Sequence, residues 1–584
     1  MSYQAAAIQY DCRFMDKEYN LEQLAWLVRQ AVGQGAKLVV LPEMCATGYY
    51  FDSQEQVAQV AEPVPDGKTT QLFMALAREL DCYIVAGLPE QEGARFYNTA
   101  ILVGPDGFLG RHRKTHHYIP DSTWAKVGDH PPAVFDTTIG SIAIQICMDV
   151  SYPEAPRVSR LQGAQILCVP MNWSEPSVPS SVWITRAREN GMYVVAANRF
   201  GQENGFSFSG GSAVIDPEGT VLDCLAEGDG IVMGTVDLSI SPDRSEFPHR
   251  RPELYSGLLL QRYPWYQSNY YQVFAHKPLP PGGRQKVAVQ RMCSGSLEVD
   301  LEYTKCAIIQ AAQAKVSLLV LPELALGGVP KDVCQARTIG QRRESPLLRE
   351  LSDRAVGQGV SVIFGFVLEE DGALYNAAAC LTADGQIHLY KKSHLNQEEL
   401  LWARPGDQAG ICVDLPHARV GILLGDEAMI PEVPRLLANY GCDILAIPAA
   451  QERLCASCLG AQNRENPFFW HIARVRANEN NVYAVFSSQV DGSGIFGPDM
   501  FLDPRYETIC AGEEMAALEV DTDFILRDGT CRNVGLIGGE PTLHAHFRDG
   551  QTRYSVNVAR EKPMLSTRHT IWYDPLLEKT EVDV

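Results

Sequence analysis

The chain has 584 residues, 46% of them hydrophobic, and its 71 acidic against 50 basic residues give a formal net charge of −21. That length calls for more than one core. So negative a balance argues against binding nucleic acid or an anionic membrane, since both reward basic patches, and leaves a small molecule or a protein as partner.

Met1 to Asp11 hold no basic region ahead of an apolar stretch, so no secretory leader is read there. No apolar run approaches the roughly 18 residues of a membrane span. The 16 cysteines are scattered, many in strand-like settings such as Cys168 and Cys380. This pattern predicts reduced, buried thiols rather than a disulfide framework, and with it a cytoplasmic protein.

In chain order, Leu21 to Val32 reads as a helix with Leu24, Leu27, Val28 and Ala31 on one stripe. Lys37 to Leu41, Tyr83 to Val85, Ile142 to Ile146 and Gln165 to Val169 read as buried strands. Strands separated by helices indicate layered α/β domains. SGGS at 209–212 reads as a turn before a strand. AHKPLPPGGRQ at 275–285 follows the aromatic stretch YPWYQSNYYQVF and has the composition of an extended linker.

Comparing the chain with itself reveals a long repeat. AKLVVLPEMCATGY from Ala36 matches VSLLVLPELALGGV from Val316 at an offset of 280. FYNTAILVGPDGFLGRHRKTH, ending at His116, matches LYNAAACLTADGQIHLYKKSH, ending at His394, at an offset of 278. The blocks ending at Glu154 and Glu432 share that offset, and RARENGMYVV from Arg186 matches RANENNVYAV from Arg476 at 290. We therefore read a first domain over 1–274, a linker over 275–285, a second copy over 286–560 and a tail over 561–584.

In the first copy Glu43, Lys114 and Cys147 each follow an apolar strand, and strand ends converge on one edge of an α/β sheet. A neutral thiol needs a base, Glu43 is placed to take its proton and pass it to a leaving nitrogen, and Lys114 to steady a developing oxyanion. Such a set suits attack on a carbonyl or nitrile carbon joined to nitrogen.

LPE at 41–43, RKTH at 113–116 and CMDVSYPE at 147–154 resemble the three signature blocks of the nitrilase, or carbon–nitrogen hydrolase, superfamily, in the same order and over most of both copies. The resemblance implies two tandem four-layer α-β-β-α sandwiches forming an intramolecular pseudo-dimer. It also implies a Glu43–Lys114–Cys147 triad with a covalent thioester or thioimidate intermediate, and a second oxyanion donor in the backbone N–H after Cys147. Many members carry a glutamate seven residues before a glycine; here Asp121 takes that place. Ser151-Tyr152 replaces the common Arg-Phe. RRPELY at 250–255 resembles a motif near the C-terminus of some members, and Arg250 and Arg251 are expected to pair with acidic surface.

The second copy keeps Glu323, Lys392 and Glu399 but has Gly425 at the nucleophile position: Lys114 precedes Cys147 by 33 residues, and Lys392 precedes Gly425 by 33. Asp426 and Glu427 are expected to point elsewhere, or to be repelled or protonated. The second copy then reads as a pseudoenzyme domain paired with the first, and Gly425→Ala as a harmless change.

The expected substrate is a small-molecule amide, with N-carbamoyl compounds and nitriles as alternatives, cleaved with release of ammonia or amine in the first domain only. A ligand-sensing or scaffold protein is the alternative of another class. Trp124, Met148, Tyr152, Asn172 and Trp173 are candidates for the pocket wall. His116 and His117 offer a rival Cys-His pair, but His394 recurs in the copy without cysteine, which favours a structural role. Cys455 and Cys458 have zinc or redox spacing without a second pair, and read as structural thiols. No metal or cofactor is called for, and association of whole chains is left open.

Overall fold

The structure, a computed structural model, describes residues 1–175, 178–240, 249–259, 279–292, 295–450, 468–489, 492–498, 508–510, 515–522, 525–526, 556–557 and 568–579. Cys455, Cys458, the first part of the expected linker, the expected boundary at 560 and most of the tail lie outside the described residues. Arg284 and Gln285, read as linker, already belong to a strand, Arg284–Val289.

The chain divides into two compact units. Unit 1 begins with β1 (Ser2–Gln9), α1 (Lys17–Gly33), β2 (Ala36–Val40), α2 (Gln54–Val57), α3 (Lys68–Leu80) and the strands β3 (Tyr83–Glu92), β4 (Arg95–Gly104) and β5 (Gly107–Arg113). It continues through α4 (Ile119–Trp124), β6 (Val134–Thr137), β7 (Gly140–Ile144), α5 (Glu154–Leu161), β8 (Ile166–Met171), α6 (Ser181–Asn190) and β9 (Tyr193–Asn198). The hairpin β10 (Phe200–Glu203) and β11 (Phe206–Ser209), then β12 (Ser212–Ile215), β13 (Val221–Leu225) and β14 (Gly230–Asp237) complete it.

These strands form two six-stranded sheets, ordered β14-β1-β2-β3-β4-β5 and β13-β12-β9-β8-β7-β6. The centres are parallel, β1-β2-β3 and β7-β8-β9, and the outer strands antiparallel. Ala5, Ala6, Ala7 and Ile8 are fully buried, as expected of a strand covered on both faces.

Helix α1 starts earlier than the sequence stripe suggested, because Asp16 caps it by accepting from the Tyr19 N–H. Its Leu21, Leu24, Leu27, Val28 and Ala31 join Phe73 and Leu76 of α3 on one face of β1 to β4. The other face of that sheet meets the second sheet, with β1 against β9 and β3 against β8, and α6 lies on β9. Unit 1 is thus layered α-β-β-α.

Unit 2 repeats the plan. One sheet runs Ile387–Lys391, Ala373–Leu381, Ser361–Glu370, Leu318–Val320, Arg284–Val289, Ala516–Asp521; the other runs Ile411–Leu415, Ala418–Ile422, Ile444–Ala449, Tyr483–Ser488, Ser493–Phe496, Thr508–Cys510. Val287, Val289 and Leu318 of the first pack on Val420, Ile422 and Ile444 of the second. Ile308 and Leu351, from helices Leu297–Gln313 and Pro346–Gln358, cover the opposite face.

Two segments are grouped differently from the sequence reading. Residues 249–259, read as the end of the first domain, are part of unit 2, and residues 568–576, read as tail, are part of unit 1. No helix among the described residues is long and apolar enough to cross a membrane.

Candidate active site

Three strand ends deliver the reactive groups of unit 1. Past β2, Leu41 and Pro42 carry the chain to Glu43, whose backbone lies so close to β3 that a Cβ at Gly87 would be 2.6 Å from the Glu43 Cα. Lys114 follows β5; its N–H donates to the Asn98 carbonyl and its own carbonyl accepts from Gly128, both at 2.8 Å. Cys147 opens the turn Cys147–Ser151 with φ of +46°, a left-handed backbone rare for residues with a side chain.

The Lys114 ammonium donates to Glu43 Oε1 and to Asp121 Oδ2, each at 2.7 Å, and all three side chains are fully buried. Asn98 Nδ2 donates to both carboxylates, also at 2.7 Å. Asp121 further accepts from the Tyr49 hydroxyl at 3.2 Å and the Tyr118 N–H at 2.8 Å. Although shorter than glutamate, Asp121 reaches Lys114 because it sits in the first turn of α4. Glu43 Oε2 is buried without a hydrogen-bond partner among the described residues.

Burial raises the Glu43 carboxyl above its ordinary range, with the Lys114 ammonium pulling it down and the Asp121 carboxylate adding to the rise. Burial works against the Lys114 charge, but Asp121 and Glu43 hold it above the usual lysine value. The Cys147 thiol is pushed well above the ordinary cysteine value by burial and then by Glu43; Lys114 and a hydrogen bond from the Asn172 backbone oppose this. The resting sulfur is therefore a thiol beside a carboxylate, and the ammonium favours its ionisation.

Behind these groups lies Asp149. Its Oδ1 accepts from the Thr115 N–H at 3.1 Å, the Thr115 hydroxyl at 2.8 Å and the His116 N–H at 2.8 Å. Its Oδ2 accepts from the Ile146 N–H at 3.0 Å and faces His112 Nε2 at 2.9 Å. One carboxylate thus ties the strand end that carries Lys114 to the turn that carries Cys147. Burial would raise Asp149, yet the hydrogen bonds from His112 and His116 hold it well below the usual carboxylate range. Arg186 steadies the same turn by donating to the carbonyls of Val150 and Ser151.

The second copy preserves this frame. Lys392 Nζ donates to Glu323 Oε1 at 3.0 Å and Glu399 Oε1 at 2.6 Å, and Asn376 Nδ2 donates to both at 2.7 Å. Glu427 takes the part of Asp149, accepting from Ser393, His394, Leu424 and the Tyr390 hydroxyl. It is held below its ordinary range, against burial, by His394 and Tyr390, so the expectation of protonation is corrected here. Asp426 does not point away: its Oδ2 is 3.8 Å from Lys392 Nζ and accepts from Asn396 Nδ2 at 2.8 Å.

Gly425 keeps the left-handed φ, at +42°, and a Cβ there would lie 2.3 Å from Glu323 Oε2. That oxygen accepts from the Ala450 N–H at 3.1 Å. Burial pushes the Glu323 carboxyl up to about 7.

Among the other sequence candidates, Asn172 lies at the site, with its backbone on the Cys147 sulfur and its Nδ2 donating to the Glu43 carbonyl at 3.0 Å. Met148 follows Cys147 in the buried turn. Trp173 is half-buried, donates from Nε1 to Glu175 at 2.9 Å and meets Trp183 edge-on. Trp124 packs edge-on against Phe51, and Tyr152 stacks on His116 at 3.8 Å. His116 faces Asp149 through Nδ1 at 3.0 Å. Burial lowers His117 to about 4, which leaves it neutral. Arg250, expected to pair with acidic surface, instead donates to the buried Glu432 at 2.8 Å.

The sequence reading passed over Asn98, Tyr49 and Asp149. Asn98 and Asn376 stand at one offset within the repeat, and Asp149 and Glu427 are both acidic at matched positions, so a search for polar residues common to the copies finds both pairs.

The carbon–nitrogen hydrolase family model matches residues 4–241 and again 286–517. Among known proteins, a nitrilase of Pyrococcus abyssi is 38% identical over 222 residues, covering 38% of this chain and 84% of that protein. An (R)-stereoselective amidase of Pseudomonas sp. is 33% identical, over 37% of this chain and 78% of that one. A chloroplastic omega-amidase of Arabidopsis thaliana is 30% identical, over 42% and 72% respectively. The chain belongs to the carbon–nitrogen hydrolase family and carries that family's domain twice in tandem.

Proposed function

We propose that the protein is an amidase-type hydrolase that cleaves the carbon–nitrogen bond of a small-molecule amide through a thioester on Cys147, and that only its first copy does so. The observation that carries this reading is the fate of one carboxylate oxygen. Glu43 Oε2 is buried and, among the described residues, unpartnered in the copy with the thiol, whereas Glu323 Oε2 accepts from Ala450 and fills the space of a side chain in the copy with glycine. The relatives named as nitrilase, amidase and omega-amidase support the class of bond.

In this reading the amide carbonyl sits between Lys114 Nζ and the Met148 N–H. The Cys147 sulfur attacks carbon as its proton passes to Glu43, and the ammonium and the N–H hold the oxyanion. Glu43 then gives that proton to the leaving nitrogen, the carbon–nitrogen bond breaks, and ammonia or amine departs. Water enters, loses its proton to Glu43 and attacks the thioester; the acid leaves and the thiol recovers its proton. The raised Glu43 carboxyl suits a group that must both take and return a proton. Asp121 takes no proton and keeps Lys114 charged and in place.

Supplying amides, N-carbamoyl compounds and nitriles while following ammonia tests the reading, with the intact mass of quenched protein reporting an acyl adduct. Turnover of amides with an adduct that vanishes in Cys147→Ala is expected. An adduct on the second copy, or turnover that survives Cys147→Ala, would overturn it.

A further inference from the structure

We infer that the chain's closing segment positions the first copy's reacting groups, with Arg568 held on Glu154 and His569 on the Thr115 carbonyl. The inference rests on the reading of Glu43, Lys114 and Cys147 as the reacting set.

Thr115 is the residue after Lys114, and its peptide is gripped from both sides. Its N–H donates to Asp149, and its carbonyl accepts from His569 Nε2 at 2.7 Å. Because a carbonyl only accepts, Nε2 carries the hydrogen. Burial lowers His569 to about 4, so the imidazole is neutral and keeps that donor at physiological pH. Its ring stacks on Trp572 at 4.7 Å and meets His116 edge-on at 5.0 Å. Arg568 pairs with Glu154 at 2.6 Å, with the arginine side chain wholly buried and the glutamate nearly so. Glu154 starts α5 directly after the Cys147 turn. One short segment therefore touches the strand end that bears the ammonium and the helix start behind the turn that bears the thiol.

The same device stands in unit 2, in register. RRPELYSGLL from Arg250 and RHTIWYDPLL from Arg568 align at an offset of 318, with arginine first and tyrosine sixth. Arg250 pairs with Glu432 at 2.8 Å, the counterpart of Glu154, and Arg251 donates to the Ser393 carbonyl at 3.2 Å, the counterpart of Thr115. Segment and receiving groups match pair by pair, as a packing accident would not. The segment that serves the thiol-bearing unit, 568–576, is the one that follows the second copy.

The test uses the full chain and two readouts: iodoacetamide labelling of Cys147, followed on its own peptide, and amide turnover. His569→Ala and Arg568→Ala are expected to slow labelling and lower kcat by ~10- to 100-fold, as displacement of a reacting group by about 1 Å does. His569→Gln keeps a donor and restores most of both rates. Arg250→Ala, which opens the matching pair in unit 2, leaves both unchanged. Parental rates in His569→Ala, or an equal slowing in Arg250→Ala, overturn the inference; should Arg568→Ala fail to fold, His569→Ala and His569→Gln decide. A parent that labels at Cys147 but turns over no amide would instead overturn the proposed function and leave this test intact.

Discussion

Asp149 and Thr115 are joined twice, through the Thr115 N–H at 3.1 Å and its hydroxyl at 2.8 Å, although 34 residues separate them. Because hydrogen bonds hold Asp149 well below its ordinary range, its carboxylate contributes stability above the unfolded value of ~3.9, and that contribution is lost as pH falls through the lower folded value. Urea unfolding of the parent between pH 2 and 7 is expected to show this acid loss. Asp149→Asn, which presents an amide N–H₂ to donors, is expected to be less stable by about 2–4 kcal/mol at pH 7 and to lose part of the slope.

In the proposed cycle Asn98 is expected to set the acid side of the rate profile. It donates to Glu43 and helps hold down a carboxyl that burial raises. Since the proposed cycle has an ionised Glu43 take the thiol proton, the acid limb of kcat/KM is expected above the ordinary glutamate value of about 4.3. Asn98→Leu removes the donor and should move that limb further up. A limb that stays in place would show that another group controls it.

Asp121→Asn leaves Lys114 with one carboxylate partner instead of two and sets an amide against the Tyr118 N–H. A fall in kcat of ~10²-fold or more is expected, with KM little changed, because the ammonium is needed most when the oxyanion forms. Steady-state kinetics at saturating amide would check it.

Cys147→Ala should abolish turnover without unfolding the chain. Gly425→Ala is not the harmless change its sequence suggests. It places a Cβ on a φ of +42° and 2.3 Å from Glu323 Oε2, and is expected to cost about 1–3 kcal/mol, seen as an earlier unfolding transition.

The grouping of Glu43, Lys114 and Asp121 was legible because charged groups placed just past strands leave a written trace: an apolar run, then one polar residue, at spacings kept between the copies. The long strand β3 was read only in its first residues, since Glu90 within it is buried through its pairing with Arg113, which the linear pattern does not show. Asn98 was hidden for a similar reason, as a polar residue inside a strand whose partners come from two other elements. The closing segment escaped because its offset of 318 departs from the 278 to 290 of the other blocks and because its partners, Glu154 and Thr115, lie hundreds of residues away. The left-handed backbone shared by Cys147 and Gly425, strained only where a side chain is present, is a property that the linear pattern does not show.

The Ala450 N–H on Glu323 works as a ratchet on the history of the second copy. Restoring a cysteine at position 425 alone would set its Cβ 2.3 Å from a carboxylate oxygen that a main-chain donor already holds, so the first step back brings strain. Recovery needs that main-chain donor withdrawn as well, two changes of which neither helps by itself.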